Sequence, residues 1–185
     1  MKKYLYLVAI AIVSCGAILS SCSDDKISGD SIFSTKAVER NAFDQWLYKN
    51  YTMPYNIEFQ YRLKTEETEQ AYNFVPADSA KTVKLAILTK YMWFDAYAET
   101  VGLDFIKENA PRIIVVTGTP GYTRYRTEVI GSAEGGYKVR LGKVNALTDE
   151  QLKDYGSMNN YYFHTMHHEF MHILNQKKPY DESYD

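Results

Sequence analysis

Apolar residues recur along this chain with two periods, one typical of helices and one typical of strands. Helical spacing predicts a first helix over residues 36–49, with Ser34 or Thr35 as its N-cap. The same spacing predicts a longer helix over residues 80–101. The first helix is expected to stop before Pro54, because the residue that precedes a proline disfavours helical dihedral angles.

Strands are predicted from alternation and from runs of β-branched residues. Residues 57–62 alternate between apolar and polar, which indicates a strand with one buried face. Residues 112–117 form a continuous β-branched run, which indicates a central strand buried on both faces. Residues 127–130 and 137–141 flank a segment with glycines at both ends, which predicts a hairpin. The alternation in 137–141 predicts an edge strand exposed on one side.

The last third of the chain predicts further helices. Thr148 and Gln151 have the spacing of a capping box and open a short helix that reaches about Tyr155. Residues 158–178 contain neither glycine nor proline and are predicted to form the closing helix. Together with a short helix over 103–109, these segments combine mixed strands with segregated helices, which predicts an α+β domain.

The closing helix carries His168-Glu169-Phe170-Met171-His172, the HExxH pattern. Positions four residues apart share one face of a helix, so both imidazoles can bind a single Zn²⁺. Zinc lowers the pKa of a bound water to about 7. Glu169 lies one step round the helix, where it can take the proton of that water without binding the ion. The pattern therefore predicts His168 and His172 as zinc ligands and Glu169 as the catalytic base of a hydrolase.

Two other interpretations of this helix stay open. The spacing can arise by chance on a histidine-rich surface or core helix. A structural zinc is the other interpretation, although it would leave Glu169 without a task, and structural sites favour four ligands that include cysteine. The chain has only Cys15 and Cys22, both near its start, so the domain is expected to have no thiol for a zinc site or a disulfide.

The two remaining histidines are predicted to border the site rather than to bind the metal. His164 lies eight residues before His172, about 12 Å along a helix axis, whereas each bond to zinc is only about 2 Å long. His167 points about 100° away from His168. All four histidines of these 185 residues lie between positions 164 and 172, so none that is distant in the sequence is available to complete the site.

The N-terminus has the pattern of an exported protein. A short basic start precedes an apolar run that is shorter than the ~20 residues of a membrane-spanning helix, which predicts a signal peptide over residues 1–21. Leu19-Ser20-Ser21-Cys22 resembles the bacterial lipobox, in which cleavage leaves the cysteine as the lipidated first residue. A polar tether over 22–34 and a single domain over 35–185 are expected to follow. A plain membrane anchor is the alternative.

Composition adds little about the ligand. A net charge of −2 without a long basic run offers no electrostatic support for nucleic-acid binding. The seventeen tyrosines can bind peptides or sugars when they are exposed, but scattered tyrosine more often packs half-buried.

The order of elements and the HExxH helix resemble the zincin metallopeptidases. The catalytic half of that fold is a twisted mixed sheet on two long helices, the second of which carries HExxH. Its edge strand lies over the cleft and pairs with an extended substrate, a role that the resemblance implies for Tyr137–Leu141.

The chain also resembles the substrate import-associated zinc metallohydrolase lipoproteins, zinc-binding peptidases of Bacteroidetes found beside SusC/SusD-like import systems. The resemblance is carried by the lipobox, Tyr55-Asn56-Ile57, Tyr61-Arg62, His168–Leu174, Gln176 and Pro179-Tyr180. It implies Zn²⁺ as cofactor, a lipid anchor in the outer membrane at the cell surface, and a SusC/SusD-like importer as partner. The implied substrates are peptides or proteins and, less readily, glycan-linked ones. Asn175 departs from the histidine that members often carry there.

The resemblance also implies a third zinc ligand, which the sequence does not identify. The position that bears it in some zincins is Lys178, whose cationic side chain is a poor partner for Zn²⁺. Asp181, Glu182 and Asp185 stand in a tail, where carboxylates are usually solvated. The chain is therefore expected to be truncated, with the third ligand beyond Asp185.

Two classes of function follow from the sequence. The first is a surface-anchored zinc-dependent hydrolase, a metallopeptidase in particular, that acts with a nutrient import system. The second is a non-catalytic surface lipoprotein that binds peptide or glycan for a SusC/SusD-like importer.

Overall fold

A computed structural model describes residues 39–64, 66, 68–178 and 183. The predicted signal peptide, lipidation site and tether fall outside these residues, as do the tail carboxylates Asp181, Glu182 and Asp185. The chain divides into two units after Glu39, and the second unit is the one described below. In the part of the chain that the structure describes, no helix is long and apolar enough to cross a membrane.

The helices in chain order are α1 (Ala42–Leu47), α2 (Met53–Tyr55), α3 (Ser79–Thr89), α4 (Ala96–Val101), α5 (Leu103–Asn109), α6 (Tyr155–Met158) and α7 (His164–Lys177). Three π-helical turns join α1 to α2, α3 to α4 and α6 to α7, at Tyr48–Thr52, Lys90–Asp95 and Asn159–Phe163. Short 3₁₀ turns lie at Val144–Ala146 and Gln151–Lys153. Each pair of helices joined by a π turn is one continuous helical segment.

The strands are β1 (Glu58–Gln60), β2 (Ile113–Val116), β3 (Gly121–Tyr122), β4 (Glu128–Val129), β5 (Gly131–Glu134) and β6 (Lys138–Leu141). Four of them form a mixed sheet in the order β1-β2-β6-β5, in which β1, β2 and β6 are parallel and β5 is antiparallel to β6. Strands β3 and β4 form a separate antiparallel pair. The domain is a mixed α+β structure.

The long second helix and the central strand are confirmed. The helical segment runs from Ser79 to Val101, and Asp78 caps it by accepting a hydrogen bond from the Lys81 N–H at 2.9 Å. It ends at Gly102, whose φ of +99° suits glycine. Strand β2 lies inside the sheet and buries three of its four residues.

The predicted hairpin is present, but its first strand is wrong. The strand that pairs with β6 is β5, and the turn is formed by Gly135 and Gly136 with φ of +56° and +69°. Residues 127–130 instead contribute to the small sheet with β3. Gly131 favours a turn in the sequence, yet it is the first residue of β5. The residue is glycine because a β-carbon at this position would lie only 2.3 Å from Thr165 Cγ2 of α7.

The predicted edge strand over residues 137–141 is also wrong. Strand β6 is flanked by β2 and β5, and the edge strands of this sheet are β1 and β5. Its polar side chains are covered rather than solvated, since Lys138 and Arg140 are only 8% and 3% exposed. Lys138 pairs with Glu134 at 2.6 Å. The alternation correctly predicts that one face of this strand is apolar and the other polar. It does not predict that the polar face is buried.

The first helix differs from its prediction at both ends. Asn41, not Ser34 or Thr35, is the N-cap, and it forms a capping box with Asp44. At the other end the helical segment passes through Pro54 and stops at Asn56, which adopts the left-handed conformation. The preceding π turn explains why the helix continues through the proline. The Met53 N–H donates to Tyr48 O, five residues back, so the hydrogen-bond register changes just before Pro54. The backbone N–H that proline lacks is therefore missing at the point where the register changes.

The closing helix starts earlier than predicted. Thr148 and Gln151 do exchange the capping-box hydrogen bonds, at 3.0 and 3.2 Å, but the turn that they open is a short 3₁₀ turn. Asp154 then caps a new helix at Tyr155 by accepting from the Ser157 N–H at 2.8 Å. The helical segment continues from there to Lys177.

Aromatic residues hold the two long helical segments together. Trp93 and Tyr97 contact the ring of Phe170 edge-on, with centroids 5.6 and 5.0 Å apart. Trp93 and Phe170 have no exposed surface. This packing fixes which face of α7 is turned to the core, and therefore which face is left for chemistry.

Candidate metal and catalytic site

Helix α7 is amphipathic, and its pattern of burial decides which side chains are available. Met166, Phe170 and Ile173 are buried in the core. His168 and His172 are exposed on another face. Burial of this apolar face therefore turns the histidine pair outward.

The two histidines meet at their Nε2 atoms. These atoms are 3.0 Å apart, and the rings are nearly perpendicular, with an interplanar angle of 88°. Two nitrogens that bind one zinc at 2.0–2.1 Å in tetrahedral geometry lie about 3.3 Å apart. The donor pair therefore fits a single zinc ion with a shift of a few tenths of an ångström.

Glu169 lies beside this pair but is far less exposed. Its exposed fraction is 8%. Burial raises the pKa of the Glu169 carboxyl above its usual range, and the nearby charges of His168, His172 and Arg140 oppose that rise only in part. A carboxylate with a raised pKa is a better proton acceptor than an ordinary one.

A cleft of about 320 Å³ runs between α7 and the end of the sheet. Its lining comes from β4, the link to β5, the start of β5 and the site helix, and comprises Glu128, Val129, Ile130, Gly131, His164, Thr165, His168 and Glu169. The edge strand thus begins at this cleft, next to the predicted base and one predicted ligand. Gly131 brings the strand close, since its β-carbon position is 3.2 Å from Glu169 Cγ.

The other two histidines occupy different environments. His164 lines the cleft, and its ring stacks loosely on His168 with centroids 6.1 Å apart. His167 is half-buried against Tyr97, with ring centroids 5.6 Å apart. Burial lowers the pKa of His167. This histidine therefore belongs to the packing between the long helical segments.

A complete set of three ligands is not found in the described part of the chain. No group of three His, Cys, Asp or Glu side chains there could hold a metal ion. Lys178, at the position considered above, is exposed and places its ammonium 5.7 Å from the centre of the Phe105 ring. Asn175 is exposed on α7.

The sequence does not single out an ion pair behind the cleft, which joins the buried Arg140 to the half-buried Glu69. Arg140 Nε lies 3.0 Å from Glu69 Oε2, and Ser132 Oγ donates to the same carboxylate. The two charged residues are 71 positions apart in the chain, so no local pattern connects them. The alternation of β6 identified Arg140 as polar, and only the tertiary structure shows that it is enclosed.

Comparisons with known proteins identify a family for the chain. The model of a protein family described as "Putative zinc-binding metallo-peptidase" matches residues 36–185. A crystal structure of a putative zinc-binding metallo-peptidase from Bacteroides caccae ATCC 43185 is 44% identical, with a TM-score of 0.60. The match covers 84% of this chain and 58% of that one, so this chain spans little more than half of its relative. No curated protein matches the chain.

Proposed function

The chain belongs to this family of zinc-binding metallo-peptidases, and from that premise we propose that it is a zinc-dependent peptidase with Glu169 as its general base. The observation that carries the proposal is the 3.0 Å separation of His168 Nε2 and His172 Nε2 beside a buried carboxylate. A helix that only packs in the core, or one that is only a solvated surface helix, does not need two facing imidazoles beside a buried carboxylate.

In this proposal each residue has a distinct task. His168 and His172 bind zinc through Nε2, and a third ligand comes from outside the described residues. Zinc, when bound, supplies a Lewis acid that activates water and polarises a carbonyl. Glu169 accepts the proton of the attacking water and can pass it on to the leaving amine.

The edge position of β5 supports an extended peptide as substrate. The strand pairs only with β6 among the described strands, so its other side can accept a further strand. The residues that lead into it line the same cleft as His168 and Glu169. We infer a zincin-like arrangement, with β5 in the role that the sequence had suggested for residues 137–141.

The cellular setting is proposed from the sequence. Lipidation at Cys22 would anchor the protein in the outer membrane, facing the surroundings of the cell. Cleavage of peptides or proteins, or less readily of glycan-linked substrates, would there serve a SusC/SusD-like importer. Nucleic acid is not proposed as a ligand, given the net charge of −2.

The decisive variant is Glu169→Gln. We expect it to bind the same amount of zinc as the unchanged protein and to lose peptide hydrolysis by roughly 10²–10⁴-fold, because the base is removed while both imidazoles stay. Zinc content and cleavage of a quenched fluorescent peptide library measure the two effects. Glu99→Gln, at an exposed position on α4, is the matched control and should keep full activity.

The same assay separates the alternative function. A protein that binds zinc, retains peptide and cleaves nothing would be the non-catalytic surface lipoprotein. Equal hydrolysis by Glu169→Gln and the unchanged protein would remove Glu169 from the mechanism.

A further inference from the structure

The face of the sheet turned away from α7 holds a buried charged cluster. Arg140 is 3% exposed, and a buried guanidinium needs a partner to offset the loss of its hydration. That partner is Glu69, in the loop between β1 and α3, whose carboxylate oxygens lie 3.0 and 3.3 Å from Arg140 Nε. The ring of Phe74 from the same loop lies 4.6 Å from the guanidinium carbon.

This cluster is attached to the edge strand. Ser132, in the middle of β5, donates its hydroxyl proton to Glu69. The Arg140 guanidinium also faces the carbonyls of Val129 and Ile130 at 3.5 Å, which is long for a hydrogen bond but close enough for charge–dipole attraction. One loop carboxylate and one arginine therefore contact both β5 and the segment leading into it.

The backbone held in this way is also the wall of the candidate site. Val129, Ile130 and Gly131 line the cleft together with His168 and Glu169. The wall is also held by the pairing of Val129 with β3 and of Gly131 with β6, and by a hydrogen bond from the Gly142 N–H to Ile130 O at 2.7 Å. The free side of β5 has no strand partner among the described residues, so the cluster restrains the strand from the rear.

We propose that Glu69 and Arg140 are positioning residues, which hold edge strand β5 and residues 129–131 where a peptide can pair with them. The part of this inference that concerns peptide binding rests on the proposed function. Neither residue lies on α7, so zinc binding by the two histidines is independent of the pair. The pair acts mainly on the affinity for extended peptides, because it positions the strand rather than the reacting atoms.

Hydrogen exchange and kinetics test the inference together. For Glu69→Gln we expect roughly tenfold faster amide exchange in residues 131–134 and a roughly tenfold higher KM for the quenched fluorescent peptides, with unchanged zinc content and a smaller change in kcat. Arg140→Lys keeps the charge but loses the planar guanidinium, so it should reproduce the higher KM. Asp149→Asn, which breaks the exposed pair with Lys84, is the control and should change neither quantity.

Ser132→Ala serves where the charged variants do not fold. It removes only the hydroxyl that binds Glu69 and should speed exchange in β5 to a smaller extent. Unchanged exchange in β5 for all folded variants would overturn the inference, as would a loss of kcat without a change in KM. If the unchanged protein cleaves no peptide, the proposed function fails, and the exchange data still decide whether the pair holds the strand.

Discussion

Gly131 determines how closely the edge strand approaches the site helix. The position that its β-carbon would occupy is 2.3 Å from Thr165 Cγ2 and 3.3 Å from Glu169 Oε1. The constraint is one of space, because Gly131 is not among the glycines with positive φ. A single methyl group at this position therefore pushes the strand away from the predicted base.

We expect Gly131→Ala to destabilise the fold by about 1–3 kcal/mol, the range for overpacking a filled site. Thr165→Ser removes the clashing methyl group and keeps the hydroxyl that donates to Tyr161 O at 3.2 Å. In that background the penalty of Gly131→Ala should fall by at least half. Urea denaturation of the two single variants and the double variant measures the coupling, and equal penalties in both backgrounds would refute the contact.

At the residue scale, the sequence identified the residues that a local spacing brings together. His168 and His172 meet because four residues make about one helical turn, and Glu169 follows from the same geometry. Glu69 and Arg140 could not be found in this way, because a partner 71 residues distant obeys no local period. A third metal ligand, if it is equally distant in sequence, escapes detection for the same reason.

At the scale of elements, the sequence predicts where most helices and strands lie. It does not predict which strands are adjacent in the sheet. Hydrophobic spacing identified the helical segment from Ser79 to Val101 and the interior strand β2. It misplaced β5, since glycine indicates a turn in sequence but also permits close packing in a strand. The edge was misassigned because strand order depends on pairing between distant segments, which alternation does not report.

The Glu69–Arg140 pair also makes the stability of this sheet face depend on pH. Burial alone would raise the pKa of Glu69, but the hydrogen bond from Ser132 and the charge of Arg140 outweigh it and leave the pKa below the ordinary value of 4.5. A carboxyl with a lowered pKa stabilises the fold fully above its unfolded pKa. That contribution is lost as pH falls through the folded value.

We therefore expect Glu69→Gln to lower the free energy of unfolding by about 1–3 kcal/mol at pH 7, less than for a fully buried pair because the carboxylate is partly solvated. The difference from the unchanged protein should shrink as pH falls below about 4.5, where the protonated Glu69 of the unchanged protein resembles glutamine. Denaturation curves between pH 3 and about pH 7 check this. A difference that stays constant over the whole range would contradict it.

At the scale of the whole molecule, the proposed zinc site with its two histidines leads to a prediction about affinity. Zinc held by two protein ligands should bind weakly, and a form extended by a region that supplies a third ligand should bind more than roughly tenfold tighter, since even outer-shell partners contribute 10–100-fold. Competition with a chelator measures both constants. Equal affinity of the two forms would place the third ligand within these 185 residues or exclude it.

The predicted lipid anchor concerns the whole molecule as well. Cys22→Ser should abolish incorporation of radiolabelled palmitate and move the protein from the detergent phase to the aqueous phase, because lipidation requires the thiol. Cys15→Ser lies in the predicted signal peptide and is the matched control. Labelling of Cys22→Ser equal to that of the unchanged protein would show that the lipobox assignment is wrong.

The edge strand and the site helix run in the same direction, which gives the cleft a polarity. Gly131 at the start of β5 lies over Thr165, whereas Gly136 just beyond its end lies beside Gln176 and Lys177. The cleft presents Glu128 and His164 near the start of β5, whereas the C-terminal turn of α7 lies beside the residues just beyond the end of the strand. A peptide is itself directional, so these unlike ends would distinguish the amino side of a bound chain from its carboxyl side.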